Sequence, residues 1–219
     1  MKEKEVERLL NLKKEEKILY EKGIVSICGI DEAGRGPLAG PVVVACSLMP
    51  KESMIEGVND SKKISEKKRE KIYEEIVQEA IAYGVGIIDQ EEIDKINILN
   101  ATKKGLTIAI RQMEEKLEQK NIKKPDVILV DALTGIDTLG IPYKSIIHGD
   151  AISYSIACAS IIAKVTRDRM MIELDKIHPE YDFKHNKGYG TKKHIEAIRK
   201  YGIIKEHRKT FAPCDEYVK

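Results

Sequence analysis

The feature that most constrains this chain is a break between two apolar runs near its beginning. Gly23-Ile-Val-Ser-Ile-Cys-Gly-Ile30 has the continuity of a buried strand, and it stops at Asp31-Glu-Ala-Gly-Arg-Gly-Pro37, where small residues and a proline force a turn. Pro41 to Met49 is a second such run. Two buried strands joined by a short glycine-rich connection pair antiparallel most simply, so a leading hairpin with acids at its turn end is expected.

The rest of the chain supplies partners for that hairpin. Ile72, Tyr73, Ile76, Val77, Ala80 and Ile81 recur at helical spacing, with Ser65 as the expected cap. Tyr83 to Ile88 reads as a third strand, Glu91 to Leu117 as helix, Asp126 to Val130 as a fourth strand, and Ser145 to Ile147 as a short fifth. Ile152 to Ile177 reads as one long helix, apolar nearly all round through Ala163 and therefore central. Thr191 to Tyr201 reads as a last helix, capped by Thr191 and stopped by Gly202. This order predicts an α/β fold with a mixed central sheet of about five strands flanked by helices and a helical C-terminal segment. Three parts are expected: a helical extension over 1–22 with apolar positions Val6, Leu9, Leu10, Ile18 and Leu19, a main domain over 23–180, and a segment over 181–219 packed on it.

Composition narrows the class. With 42% hydrophobic residues among 219, the chain can bury a core, and its longest apolar runs are too short to cross a bilayer. The first residues, Met-Lys-Glu-Lys-Glu-Val-Glu-Arg, alternate charge and carry no apolar stretch, so no targeting signal is read and a cytoplasmic location is the expectation. Cys28, Cys46, Cys158 and Cys214 are scattered, without Cys-x-x-Cys spacing, and read as small buried hydrophobes. The 38 basic and 36 acidic residues nearly cancel, but from Asp182 to Lys209 nine Lys/Arg face three acids, with His185, His194 and His207 interleaved. A phosphate-facing surface and a solvated helical face are both compatible with that pattern.

Three of the expected strands end in acid: Asp31 with Glu32, Asp131, and Asp150 just beyond the fifth. Each alone is a common turn or cap residue. Together, carboxylates converging on one sheet edge would repel unless a cation sat between them, and hard oxygen ligands select Mg²⁺ or Mn²⁺. A four-carboxylate cluster suits two such ions and phosphodiester cleavage. Directly behind the first pair, Gly34-Arg35-Gly36 offers close backbone approach and a planar phosphate fork, and Tyr189, between two glycines, offers a ring to a sugar or base.

Seven ordered blocks carry a resemblance. They are Gly29-Ile-Asp-Glu-Ala-Gly-Arg-Gly-Pro-Leu-Ala-Gly-Pro-Val42, Asn59-Asp-Ser-Lys-Lys-Ile-Ser65, Val130-Asp131, Gly149-Asp150, Ala159-Ser-Ile-Ile-Ala-Lys-Val-Thr-Arg-Asp168, His185-Asn-Lys-Gly-Tyr-Gly-Thr191 and His207-Arg-Lys-Thr-Phe211. Over about residues 24–213 the chain resembles bacterial ribonuclease HII, the type 2 ribonuclease H family. The resemblance implies a ribonuclease H-like fold and Mg²⁺- or Mn²⁺-dependent hydrolysis of the RNA strand of RNA/DNA hybrids, including cleavage 5′ of single ribonucleotides in duplex DNA; a monomer is the expectation. It places the metal-binding carboxylates on Asp31, Glu32, Asp131 and Asp150. Gly34, Arg35 and Gly36 fall on residues that contact the ribonucleotide and its phosphate, Tyr189 on one that packs against the adjoining deoxyribose, and Lys62 in a phosphate-contacting turn. Asp168, one helical turn from Lys164, is read as a structural ion pair outside the metal set. Ala132 follows the third acid where family members more often have glycine.

Overall fold

The second apolar run is buried at every position, which requires cover on both faces and a neighbour on each edge. In the computed structural model, which describes residues 1–218, it is strand β2 (Val42–Leu48), lying antiparallel between β1 (Ile27–Ala33) and β3 (Ala82–Ile88). On the other side of β1, strands β4 (Val127–Asp131) and β5 (Tyr143–Ile146) add in parallel, giving the order β3-β2-β1-β4-β5. The expected mixed sheet and its leading hairpin are present. β1 runs on past the expected break to Ala33, because Asp31, Glu32 and Ala33 still pair with Ala45, Val44 and Val43.

Side-chain alternation divides the core into two layers. Cys28, Ile30, Val44, Cys46, Ile128 and Val130 face helix α4 (Gln90–Gln119), meeting Leu106, Ala109, Ile110 and Met113. Val43 and Ala45 face helix α6 (Tyr154–Ile177), whose residues from Tyr154 through Ala163 are all buried. Gly29 is required here, since a Cβ on it would overlap the Ser155 backbone of α6. Helix α3 (Glu66–Glu79) packs outside α6 through Ile72 and Ile76. All four cysteines are buried and free.

The ends of several elements differ from expectation. Residues 1–22 form two helices, α1 (Glu3–Leu12) and α2 (Lys14–Glu21), and they are tied into the core: Leu9 and Leu12 join the α6 cluster, and the buried Glu16 carboxylate accepts from Ser153 Oγ at 2.6 Å and Ser155 N–H at 2.9 Å. That carboxylate sits at the N-terminus of α6, where an anion is favoured. The long helix expected from Ile152 is broken at Ser153, whose extended backbone caps α6 and separates the short helix α5 (Gly149–Ile152). Asn97 interrupts α4 with φ 66° and caps the second half by accepting from Asn100 N–H at 3.0 Å. β5 lies earlier than read, and Ile147 is exposed. Ser65 occupies the cap position of α3 without a side-chain capping bond. Beyond α6 come α7 (Phe183–Asn186) and α8 (Lys192–Tyr201), the latter capped by Thr191 and ended by Gly202 as expected. Phe183, Ile198 and Cys214 pack with Leu38, Ala39 and Met171, so this segment covers the β1–β2 connection.

Candidate active site

Parallel register brings the first two acids together. Ile30 lies opposite Val130, so the next residue of each strand, Asp31 and Asp131, emerge side by side on the α6 face. The third arrives from the α5 turn, held there because Gly149 N–H donates to Asp131 Oδ1 at 2.7 Å. Carboxylate oxygens of Asp31, Asp131 and Asp150 all lie within 4.8 Å of one another. Glu32 stands beside this group rather than in it, with Oε1 3.5 Å from Arg35 Nη1.

Electrostatics register the crowding. Burial, then the neighbouring Glu32, pushes the Asp31 carboxyl well above the usual range, against hydrogen bonding from Ser160. Burial also raises Glu32, although Arg35 opposes it, and raises Asp150, with Asp60 and Asp131 adding to the effect. Lys62 is the nearby cation, its Nζ 3.9 Å from Asp150 Oδ2. Burial works against its ammonium, but Asp150, Asp31, Asp60 and Asp131 together raise its pKa. The exposed Lys62 and the half-exposed Arg35 do not balance this many carboxylates. Two buried and one half-buried carboxylates, all hard oxygen donors at this spacing, fit Mg²⁺ or Mn²⁺.

Beside the acids opens a cleft of about 450 Å³ whose walls include Glu32, Gly34, Arg35, Gly36, Lys62 and Tyr189. Every residue singled out in the sequence for substrate contact therefore lines one cavity. Tyr189 is half exposed, and its ring lies 3.6 Å from where a Cβ on Gly36 would sit. Asp168 is elsewhere: it takes Lys164 Nζ at 2.7 Å and Arg69 Nη2 at 3.2 Å, and Arg69 in turn donates to the carbonyls of Ser61 and Ile64. The pair thus braces the turn that presents Lys62.

The basic segment divides. Lys184, Lys192, Lys193, Arg199, Lys200, Lys205 and Lys209 are exposed, whereas Lys187, His194, His207 and Arg208 are buried and face no solvent anion. Sequence reading also passed over Asp60, Ser160 and Arg167. Asp60 looks like an ordinary cap, and it does accept from Lys62 N–H at 2.9 Å. Ser160 and Arg167 sit inside a helix, where nothing in the periodicity separates a cleft-lining polar residue from a solvated one.

Comparison with known proteins gives the family and the fold. The sequence profile described as Ribonuclease HII matches residues 28–214. The chain is 53% identical over 209 residues to a ribonuclease HII of Caldanaerobacter subterraneus subsp. tengcongensis, covering 95% of this chain and 83% of that one. It is 51% identical to a ribonuclease HII of Acetivibrio thermocellus, covering 95% and 78%. Among solved structures, the ribonuclease H2 of Pyrococcus horikoshii superposes with a TM-score of 0.71 at 25% identity, over 88% of this chain and 96% of that chain. A ribonuclease HIII solved with Mn²⁺ shares the fold at a TM-score of 0.64 and 19% identity, over 88% of this chain and 69% of that one. The architecture is thus the ribonuclease H-like fold. Among the described residues, no helix is long and apolar enough to cross a membrane.

Proposed function

The chain belongs to the ribonuclease HII family, and from that premise we propose that it cuts duplex DNA on the 5′ side of a single embedded ribonucleotide, besides hydrolysing the RNA strand of RNA/DNA hybrids, and leaves 5′-phosphate and 3′-hydroxyl ends. As a member of that family it is a metal-dependent ribonuclease H, a phosphodiester hydrolase. The observation that carries the finer reading is that Glu32, next to Asp31, and Lys62, 3.9 Å from Asp150, both line the cleft that Gly34–Gly36 and Tyr189 also wall.

Asp31, Asp131 and Asp150, with Glu32 alongside, would hold Mg²⁺ or Mn²⁺. When bound, two such ions supply activation of water and neutralisation of charge on the leaving oxygen. The protein's own groups do the rest. Gly34 and Gly36 let backbone come close enough to test for a 2′-hydroxyl, which is the group that separates RNA from DNA at one nucleotide. Arg35 has a half-exposed guanidinium held, among the described residues, only by Glu32 at 3.5 Å, so it can turn to a phosphate as a fork. The Tyr189 ring stacks against the next sugar, and the exposed Lys62 ammonium reaches a phosphate. Exposed lysines and arginines of 184–209 hold the duplex backbone, which makes binding fall steeply with salt.

Gel-resolved cleavage of a DNA duplex with one ribonucleotide tests this, with Mg²⁺, Mn²⁺ or EDTA and with Asp31→Asn alongside. A metal-dependent nick 5′ of the ribonucleotide, lost in the variant, is expected. An intact duplex, with continuous hybrids still cut, would show that several consecutive ribonucleotides are required.

A further inference from the structure

Two arginines are buried beneath the loop joining β1 to β2, and neither has an acidic partner among the described residues. Arg208 is 0% and Arg167 1% exposed. A buried guanidinium ordinarily sits against a carboxylate, because an uncompensated charge in the interior is strongly destabilising. Here every acceptor is a backbone carbonyl. Arg208 donates to Gly34 O at 2.6 Å, to Arg35 O at 2.9 Å, and to Gly40 O through Nε at 3.0 Å and Nη2 at 2.9 Å. Arg167 donates to Pro41 O at 2.9 Å, Ala39 O at 3.1 Å and, across the gap, Lys187 O at 2.8 Å.

Peptide geometry turns this into a statement about the cleft. In a trans peptide the carbonyl of one residue and the N–H of the next point in opposite directions. Drawing the Gly34 and Arg35 carbonyls inward onto Arg208 therefore turns the N–H groups of Arg35 and Gly36 away from it, on the side where these residues wall the cleft. Neither N–H donates to another group among the described residues. A cation on the carbonyl side of a peptide polarises it and strengthens its N–H as a donor.

The facing loop is fastened to the same frame. Leu38 N–H donates to Gly188 O at 2.7 Å, and Arg208 N–H to Leu38 O at 2.8 Å. Ile204 N–H donates to His207 Nδ1 at 3.0 Å, so a neutral His207 carries its proton on Nε2 and gives it to His194 Nε2 at 3.1 Å. His194 then donates through Nδ1 to Tyr189 O at 2.9 Å. Gly34 must lack a side chain for this frame to close, since a Cβ there would overlap Arg167 Nε.

We propose that Arg208 and Arg167 are positioning residues that fix the Gly34–Gly36 backbone against Tyr189, and that this fixed spacing sets the discrimination in favour of a single ribonucleotide; the second half rests on the substrate reading given above. Burial, and then Arg167 beside it, hold the Arg208 pKa down to about 9. The fold thus retains two like charges under one loop.

Arg208→Lys and Arg167→Lys keep a charge but lose the planar fork. Two readouts apply to each: amide hydrogen exchange across 34–40 in the free protein, and the ratio of kcat/KM on a single-ribonucleotide duplex to that on a continuous RNA/DNA hybrid. Loss of one charge-assisted contact to the loop predicts about tenfold faster exchange there, with the sheet unchanged, and a ratio lowered about tenfold. Unchanged exchange would overturn the positioning role. Equal losses on both substrates would overturn the specificity role. Failure of both variants to melt cooperatively would also overturn it, because the arginines would then support the whole fold. Absence of single-ribonucleotide cleavage by the unsubstituted protein is a failure of the substrate reading, visible in that lane alone, and the exchange comparison still judges the clamp.

Discussion

Removing one carboxylate from the three-acid group should stabilise the metal-free protein while abolishing its response to metal. Asp31→Asn is the perturbation of choice, because the remaining side-chain oxygen can still accept the Glu32 N–H that Asp31 Oδ1 takes at 2.7 Å. Two unit charges 4.8 Å apart repel by about 3.5 kcal/mol at an effective dielectric of about 20. Proton uptake and the Lys62 ammonium offset part of that, leaving an expected gain of about 2 kcal/mol. For a chain of 219 residues this corresponds to a rise in Tm of about 4–8 °C. The assay is thermal unfolding in EDTA and again in Mg²⁺. In EDTA the variant should melt above the unsubstituted protein. In Mg²⁺ at about 100 times Kd the unsubstituted protein should gain about 2.7 kcal/mol and the variant little. A variant that melts lower in EDTA, or that gains as much from Mg²⁺, would refute the view that these acids are held together against repulsion for a cation.

Three further outcomes follow from particular contacts. Gly34→Ala should cost about 2–4 kcal/mol, since φ is +98° and the Cβ would overlap Arg167, whereas Gly36→Ala, with only Tyr189 Cε1 3.6 Å away, should leave stability within about 0.5 kcal/mol yet lower duplex cleavage at least about tenfold; equal melting of the two variants would contradict this. Glu16→Ala strands Ser153 Oγ–H and Ser155 N–H at the start of α6 and should cost about 2–4 kcal/mol in urea unfolding, with no change taken as refutation. Burial, then His194, holds the His207 pKa down to about 4, so as pH falls through about 6.5 the unfolded chain takes the proton first and stability drops by about 3 kcal/mol by pH 4; urea midpoints that follow the same pH curve in His207→Gln would show otherwise.

The sheet and the acids were legible because both rest on short-range signals. An apolar run that ends in Asp reports its own strand, and parallel pairing then carries Asp31 and Asp131 to one place without further instruction. Element ends were less legible, since capping competes residue by residue. Ser153 and Asn97 break helices that periodicity alone would continue, while Ser65 makes no side-chain bond where one was expected. Ala132 is a related case. It occupies φ 41°, the left-handed region that glycine enters freely, so the departure from the family's usual glycine is a backbone matter beside Asp131 rather than a chemical one. The buried members of the basic segment were illegible for a different reason. Arg208 and Lys209 are adjacent and alike in sequence, yet one is wholly buried under Gly34 and the other exposed, a distinction made only by contacts with residues far away along the chain.

The two halves of the site have opposite electrostatic needs, and the hairpin joins them with no room for slack. Asp31 and Glu32 are ladder residues of β1, paired with Ala45 and Val44, and Gly34 follows two positions after Glu32, gripped by Arg208 and packed against Arg167. The acidic half, held by β1, β4 and the α5 turn, has only Lys62 and Arg35 as nearby countercharge and so favours cations. The loop half carries surplus countercharge within its own wall and is completed by an anionic or hydroxyl-bearing ligand. Under the proposed activity a phosphodiester strand would supply the anion to the loop half, and bound metal would relieve the acidic half. Because Ala33 alone separates Glu32 from Gly34, a nucleotide read at Gly34–Gly36 would, under the proposed activity, stand in fixed register with the bond presented to the acids. Under the proposed activity, that register, more than any single contact, makes the cut fall at a constant position relative to the ribonucleotide.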